Sequence, residues 1–330
     1  MTVLNGGIPD RTPVFPLLMF FSARHYGINY REFASNGHLL AESQLKIRET
    51  FPVDAITACS DAFRVSADLG GKIVFYENTP PGLSEPLVKN ESDFSQLKKP
   101  DVAMSKGRMR DRINATGEMA GAVKDECMVL GWVDLPFAEA CSLCGVSEFM
   151  IMLYEEPALA HKILDFLTDI VIEFAVLQLE AGAPMIGAGD AAASLIAAEH
   201  YREFALPYEK RVCEAVHRAG GLLKLHICGN TTHLMQDMIS LDADLYNVDH
   251  LVDFSLALQN YSAAGKAFKG NLNPVSDFLF ATPEECGERA KSCIQMAKGA
   301  KYILSAGCEV PVDVSDEVFM AFCEAAGNPD

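Results

Sequence analysis

Short apolar runs alternate with longer helical patterns along nearly the whole chain, and few folds accept that order. The runs, rich in Val, Ile and Leu, are 54–59, 127–131, 184–187, 222–226, 245–248, 267–270 and 302–305. Between them the apolar residues recur at helical spacing. Segment 157–180 opens on Pro157, a favoured first helical residue, and carries a stripe through Leu159, Ile163, Phe166, Ile170, Phe174 and Leu177. Segments 198–218 and 282–298 follow the same logic, the latter behind the capping sequence Thr282-Pro283-Glu284-Glu285. A helix after each strand returns the chain to the same end, so the strands run parallel. Seven or eight such units over roughly 280 residues fit the closed (β/α)8 TIM barrel, an α/β fold. The 330 residues exceed what one core in an open sheet holds, so a single barrel domain over 1–330 is expected. Residues 1–50 read as an N-terminal elaboration and 70–106 as an insertion, with a hairpin at 72–77 and a Pro80-Pro81-Gly82 turn.

Charge narrows the function. The net charge is −18 and the pI about 4.8, whereas phosphate binding wants a basic face, so nucleic acid is excluded as a partner. No run reaches about 18 apolar residues, so no membrane helix is expected. Met1 to Val14 has neither a basic region nor an apolar core and does not read as a signal peptide. The ten cysteines then read as reduced thiols of a cytoplasmic protein, some of them metal ligands.

Three residues carry the strongest chemical signal. In Leu223-Lys224-Leu225-His226-Ile227-Cys228-Gly229-Asn230, His226 and Cys228 are two apart at a strand end, where i and i+2 point the same way. In Ser305-Ala306-Gly307-Cys308 a thiol follows another strand. Both strand ends belong to the C-terminal face of a barrel, where active sites are built. One imidazole and two thiolates suit zinc, and three protein ligands leave a fourth position open, as catalytic zinc requires. A lone His-x-Cys would be weak, since a buried thiol is usually a small core hydrophobe; the joint placement of all three carries the reading.

On these residues the chain resembles the uroporphyrinogen decarboxylase superfamily, and within it the zinc- and corrinoid-dependent methyltransferase branch. Arg11-Thr12-Pro13-Val14-Phe15 is similar to the superfamily's R-x-P-V opening. Phe51-Pro52-Val53-Asp54-Ala55 through Ser60-Asp61 is similar to its F-P-x-D-A…S-D stretch. His226-x-Cys228 with Cys308, 80 residues on, resembles the methyltransferase branch's H-x-C…C motif. In the decarboxylases M-R-Q-A-G-R-Y supplies arginines for tetrapyrrole carboxylates. Here Phe20-Phe21-Ser22-Ala23-Arg24-His25-Tyr26 stands in that place, with Phe21 and His25 where the arginines would be. A polyanionic substrate needs guanidinium groups, so decarboxylation is disfavoured, although Asp61 is kept.

The resemblance implies a zinc-dependent methyltransferase that moves a methyl group to or from the cobalt of a corrinoid. The corrinoid-binding pattern D-x-H-x-x-G is broken by Lys224, so the corrinoid is expected on a separate partner protein. Gly307-Cys308-Glu309 lacks the glycine that follows the cysteine in coenzyme M methyltransferases. This favours demethylation of a small methoxylated aromatic compound, an O-demethylase methyltransferase, with the coenzyme M type as the alternative. Phe21, His25 and Tyr26, together with Phe15, Met19, Phe20 and Tyr30, are candidates for an aromatic substrate pocket, with Asn230 and Asn247 as polar substrate contacts. Asp249 or Glu148 is the candidate fourth zinc ligand, and Asp249, Asp190 and Asp61 are the candidate catalytic carboxylates. Cys141-Ser142-Leu143-Cys144 reads as incidental, and Gly187-x-Gly189 lacks the third glycine of a dinucleotide loop. The thiol count fits a reducing, anaerobic cell, and self-association is left open.

Overall fold

A computed structural model describes residues 1–124 and 126–327. Seven parallel strands form one curled sheet in the order β1 (Ala55–Thr57), β4 (Met128–Asp134), β5 (Met185–Gly189), β6 (Leu222–His226), β7 (Leu245–Asn247), β8 (Ala267–Leu272) and β9 (Tyr302–Ala306). The missing pair, β2 (Ile73–Val74) and β3 (Gly82–Leu83), forms a separate antiparallel ribbon. Each apolar run read from the sequence is thus a wall strand. The expected hairpin is relocated: 72–77 supplies one arm only, and the chain crosses Pro80 and Pro81 before pairing.

The eighth position in the wall is filled by an irregular segment. Phe15 N donates to Leu304 O and Leu304 N to Pro13 O, both at 2.9 Å, on the β9 side. Asp54 N donates to Val14 O at 2.8 Å, next to β1. Residues 13–17 therefore bridge the two edges and close the ring, so this part of the N-terminal elaboration belongs to the wall. Pro13 and Pro16 lack the amide donors of a ladder, which keeps the segment short and hides it from a strand pattern.

Strand parity then sorts the side chains. Leu130, Met185, Leu245, Ala267 and Ile303 pack with Phe15 and Val3 at the strands' N-terminal ends. Their alternate neighbours Val129, Ile186, Tyr246, Phe268 and Leu304 are buried in the clusters between wall and helices. The layer above the apolar floor is polar. Lys269 donates to Phe15 O at 2.5 Å and lies over that ring, and Lys224 Nζ sits 4.5 Å from the Trp132 ring centroid. A Cβ on Gly187 would come within 2.4 Å of the Trp132 ring, so glycine is there to admit the indole.

The helices begin and end as their caps dictate. Pro157–Glu180 starts on its proline, and Pro283–Met296 carries a complete capping box between Thr282 and Glu285. Segment 198–218 is helical in three pieces, with one π turn (Tyr201–Ala205) before Leu206–Arg218. Pro207 cannot donate to the preceding turn, which favours the wider winding there. Among the described residues no single helix is long and apolar enough to cross a membrane.

Candidate metal centre

His226 ends β6, Cys228 lies in the loop after it, and Cys308 follows β9. The barrel brings the three together although 80 residues separate the thiols. His226 Nε2 lies 3.1 Å from Cys228 Sγ and 3.7 Å from Cys308 Sγ, and the sulfurs are 3.6 Å apart. In tetrahedral zinc, with Zn–S near 2.3 Å and Zn–N near 2.0 Å, neighbouring ligand atoms lie about 3.5–3.8 Å apart. Two of the three spacings match that range and the third needs only a small expansion, so the donors fit zinc in identity and geometry. Among the described residues this is the one group of three or more His, Cys, Asp and Glu donors close enough to share an ion. His226 is buried, while both cysteines are half-buried at the barrel mouth, so approach from solvent is possible on the thiol side.

The thiols are already poised. A hydrogen bond from Cys228 holds Cys308 well toward its thiolate, helped by His226, while the same contact and burial push Cys228 up. The pair thus holds one proton, which a metal would displace. Lys224 lies two residues before His226, on the same inward face. Burial pushes its amine down to about 8, and the neighbouring Cys59, Cys228 and Cys308 thiols oppose that. It places an amine beneath the two sulfurs, where its charge offsets thiolate charge. In the sequence Lys224 stands out only as the break in the corrinoid-binding pattern, though the parity that paired His226 with Cys228 also turns residue 224 inward.

The candidate carboxylates divide. Asp249 is buried, and its oxygens accept from Gly229 N and Leu251 N, each at 2.9 Å. It anchors the loop carrying Cys228 and lies outside the donor group. Glu148 is an exposed acid in the first turn of Val146–Glu155, also outside that group. Asp61 is locked: Arg108 binds both its oxygens at 2.7 Å, and Ser60 and Phe63 N add to them. Burial opposes its charge, but Arg108 outweighs burial and holds the carboxyl far below its usual range. No lone pair is left free for proton transfer.

Asp190 is fully buried behind the wall, where Glu209 faces it. Glu209 accepts from Tyr201 Oη at 2.5 Å. Burial pushes Glu209 from the ordinary 4.5 up to about 7, and Asp190 rises through burial and then the Glu209 charge. Folding therefore tightens proton binding here. This contribution is whole below pH 4.5 and is lost as the pH climbs through about 7. Denaturation between about pH 5 and pH 8 should show stability falling by up to roughly 1.4 kcal/mol per pH unit per proton. The Asp190→Asn/Glu209→Gln variant should show a flatter profile; an unchanged slope would remove the pair from the account.

The expected aromatic pocket does not assemble. Phe21 is fully buried against Phe319 (4.8 Å), Phe51 (6.0 Å) and His25 (4.4 Å). His25 Nε2 pairs with Asp316 Oδ1 at 2.7 Å. Both residues are consumed in docking the first helix on the last, and Tyr26 is exposed at that helix's end. Tyr30 Oη donates to Ser60 O, and Phe15 lies under Lys269 inside the barrel. Asn230 is exposed and accepts from Thr232 N within its own turn. Asn247 is buried, and its Nδ2 donates to Gly307 O at 3.2 Å, next to Cys308.

Comparison with known proteins places the chain in a family. The chain is 31% identical over 232 residues to the methylcobamide:CoM methyltransferase MtbA of Methanosarcina acetivorans. That match covers 70% of this chain and 66% of the relative, so the chain spans just under two thirds of that protein's length. It is 25% identical over 315 residues to the uroporphyrinogen decarboxylase of Prochlorococcus marinus, covering 91% and 85% of the two chains. In fold it is similar to a solved methyltransferase from Methanosarcina mazei, with TM-score 0.87 at 20% identity over 98% and 96% of the chains. The sequence pattern described as Uroporphyrinogen decarboxylase (URO-D) matches residues 1–328, and the chain belongs to that family.

Proposed function

We propose that this chain is a zinc- and corrinoid-dependent methyltransferase that passes a methyl group between a small molecule and a corrinoid carried by a partner protein. The observation that carries the reading is the donor group of His226, Cys228 and Cys308, half-open at the barrel mouth. The similarity to proteins named methylcobamide:CoM methyltransferase supports it. Bound there, zinc would supply Lewis acidity, lowering the proton affinity of a substrate thiol or stabilising a leaving oxyanion. The chain's own residues do the rest. His226, Cys228 and Cys308 hold the ion, Asp249 fixes the Cys228 loop through Gly229 N, and Lys224 offsets the thiolate charge from below.

Within that class, we read the chain as an O-demethylase methyltransferase taking the methyl from a methoxylated aromatic compound, because Glu309 replaces the glycine that follows the cysteine in thiol-methylating members. Glu309 is structurally committed: its Oε1 accepts from Phe20 N at 2.9 Å. The likeness to the MtbA proteins favours the second reading, methyl transfer to a thiol. The test offers the purified protein a reduced corrinoid protein with methoxyarenes or methylamines and, in a separate arm, a methylated corrinoid protein with thiols, and follows the corrinoid absorbance. Demethylation of a methoxyarene is the expected result. Transfer to a thiol alone would replace it with the second reading. Absence of any methyl transfer, with decarboxylation of a tetrapyrrole acid that survives chelation, would overturn both.

A further inference from the structure

Two buried polar atoms beside the metal centre lack partners, and they are complementary. His226 turns Nε2 toward the thiols, which leaves Nδ1, buried and without a hydrogen bond. On the neighbouring strand, Asn247 is the register partner of His226. Its Nδ2 is spent on Gly307 O at 3.2 Å. A carbonyl can only accept, so that bond fixes the amide's orientation and leaves Oδ1 as the free atom. Oδ1 is likewise buried and without a partner. Residues in register on adjacent strands lie about 4.8 Å apart on the same face. With the amide held by Gly307, a shift of the imidazole toward Asn247 would bring a ring N–H to the amide oxygen.

We infer that Asn247 is the positioning residue of the metal centre: its Oδ1 accepts the Nδ1 proton of His226 while its Nδ2 holds the Gly307 carbonyl beside Cys308. This rests on reading His226, Cys228 and Cys308 as zinc donors. The bond keeps the imidazole proton on Nδ1, so Nε2 presents its lone pair to the ion; such outer hydrogen bonds orient the ring and raise its basicity. One side chain thereby registers donors from two strands that are not neighbours in the sheet. The Gly307 end is firm, since a Cβ there would lie 2.4 Å from His250 N, so the loop is pressed against the chain that follows β7. An unmade bond at either atom would leave a desolvated polar group, a cost that closing the pair removes.

The experiment measures zinc affinity by competition with a chromophoric chelator, together with long-range proton–nitrogen spectra of metal-free protein labelled with 15N-histidine. The His226 signal is assigned by its loss in His226→Gln. Asn247→Leu should lower zinc affinity about 10–100-fold and shift His226 from the Nδ1–H toward the Nε2–H form. Asn247→Asp keeps an acceptor toward the ring and should retain the Nδ1–H form. Should Asn247→Leu not fold, Asn247→Ala is read the same way. Affinity within about twofold of the wild type and an unmoved tautomer would overturn the inference. A wild-type protein that takes up no zinc at all would instead overturn the metal reading on which it rests.

Discussion

Replacing Cys308 by alanine is expected to empty the metal centre and end methyl transfer. Structural zinc sites bind with about 10–16 kcal/mol shared over their ligands. Losing one ligand of the set therefore costs roughly 3 kcal/mol or more, a factor of at least about a hundred in affinity. Metal analysis should find about one zinc per chain in the wild type and less than about a tenth of that in Cys308→Ala after dialysis. The fold should survive, because Cys308 is half-buried in a loop beyond β9. Cys144→Ala is the control. Cys144 is fully buried, and burial pushes its thiol up to about 12, so it is a core thiol. That variant should lose a little stability and keep its zinc. Full zinc retention in Cys308→Ala would remove it from the ligand set, and loss of zinc in Cys144→Ala would point to a different centre.

The cysteines show what a sequence reveals and what it hides. His226 and Cys228 were legible because parity along an extended strand is local, and Cys308 because it follows a strand in a parallel barrel. The seven wall strands were legible for the same reason, each a buried apolar run between helical patterns. The closing segment was not, because Pro13 and Pro16 strip it of the ladder donors that make a strand recognisable. Phe21 and His25 failed for a tertiary reason. Their helix is oriented by Phe319 and Asp316, some 290 residues away, and no local pattern says which face that docking consumes. Asp61 and Asp249 were expected as catalytic carboxylates, Asp249 also as a zinc ligand, but their partners, Arg108 and two backbone amides, tie them into the scaffold in ways that spacing alone does not disclose.

The second large effect concerns the buried charges that brace the mouth of the barrel. Arg64 is fully buried, and its Nη2 donates to Asp134 at the end of β4. Burial opposes the guanidinium charge, and Asp134 followed by Asp61 outweighs it. Burial also draws Asp134 toward its neutral form against the pull of Arg64, while the guanidinium cannot shed its proton in any accessible range, so the Arg64 charge stays buried. Asp134→Ala leaves that charge buried beside Glu139, a buried acid that burial and the Asp134 charge hold toward its neutral form, since both oxygens of Asp61 are already held by Arg108. Arg64 Nε and Nη1 are without partners even in the intact protein, and none of the hydrogen bonds of Arg64 goes to Glu139, so ionisation of Glu139 would offset only part of the loss. The expected loss is about 3–5 kcal/mol in chemical denaturation. Arg64→Met/Asp134→Leu removes both charges and fills the space, so most of that loss should return, since a buried ion pair repays little more than its own desolvation. A double variant as unstable as Asp134→Ala would mean that the pair contributes a specific geometry to the site, and zinc binding by the double variant would then show whether that geometry reaches His226 through the contact of Asp134 with β5.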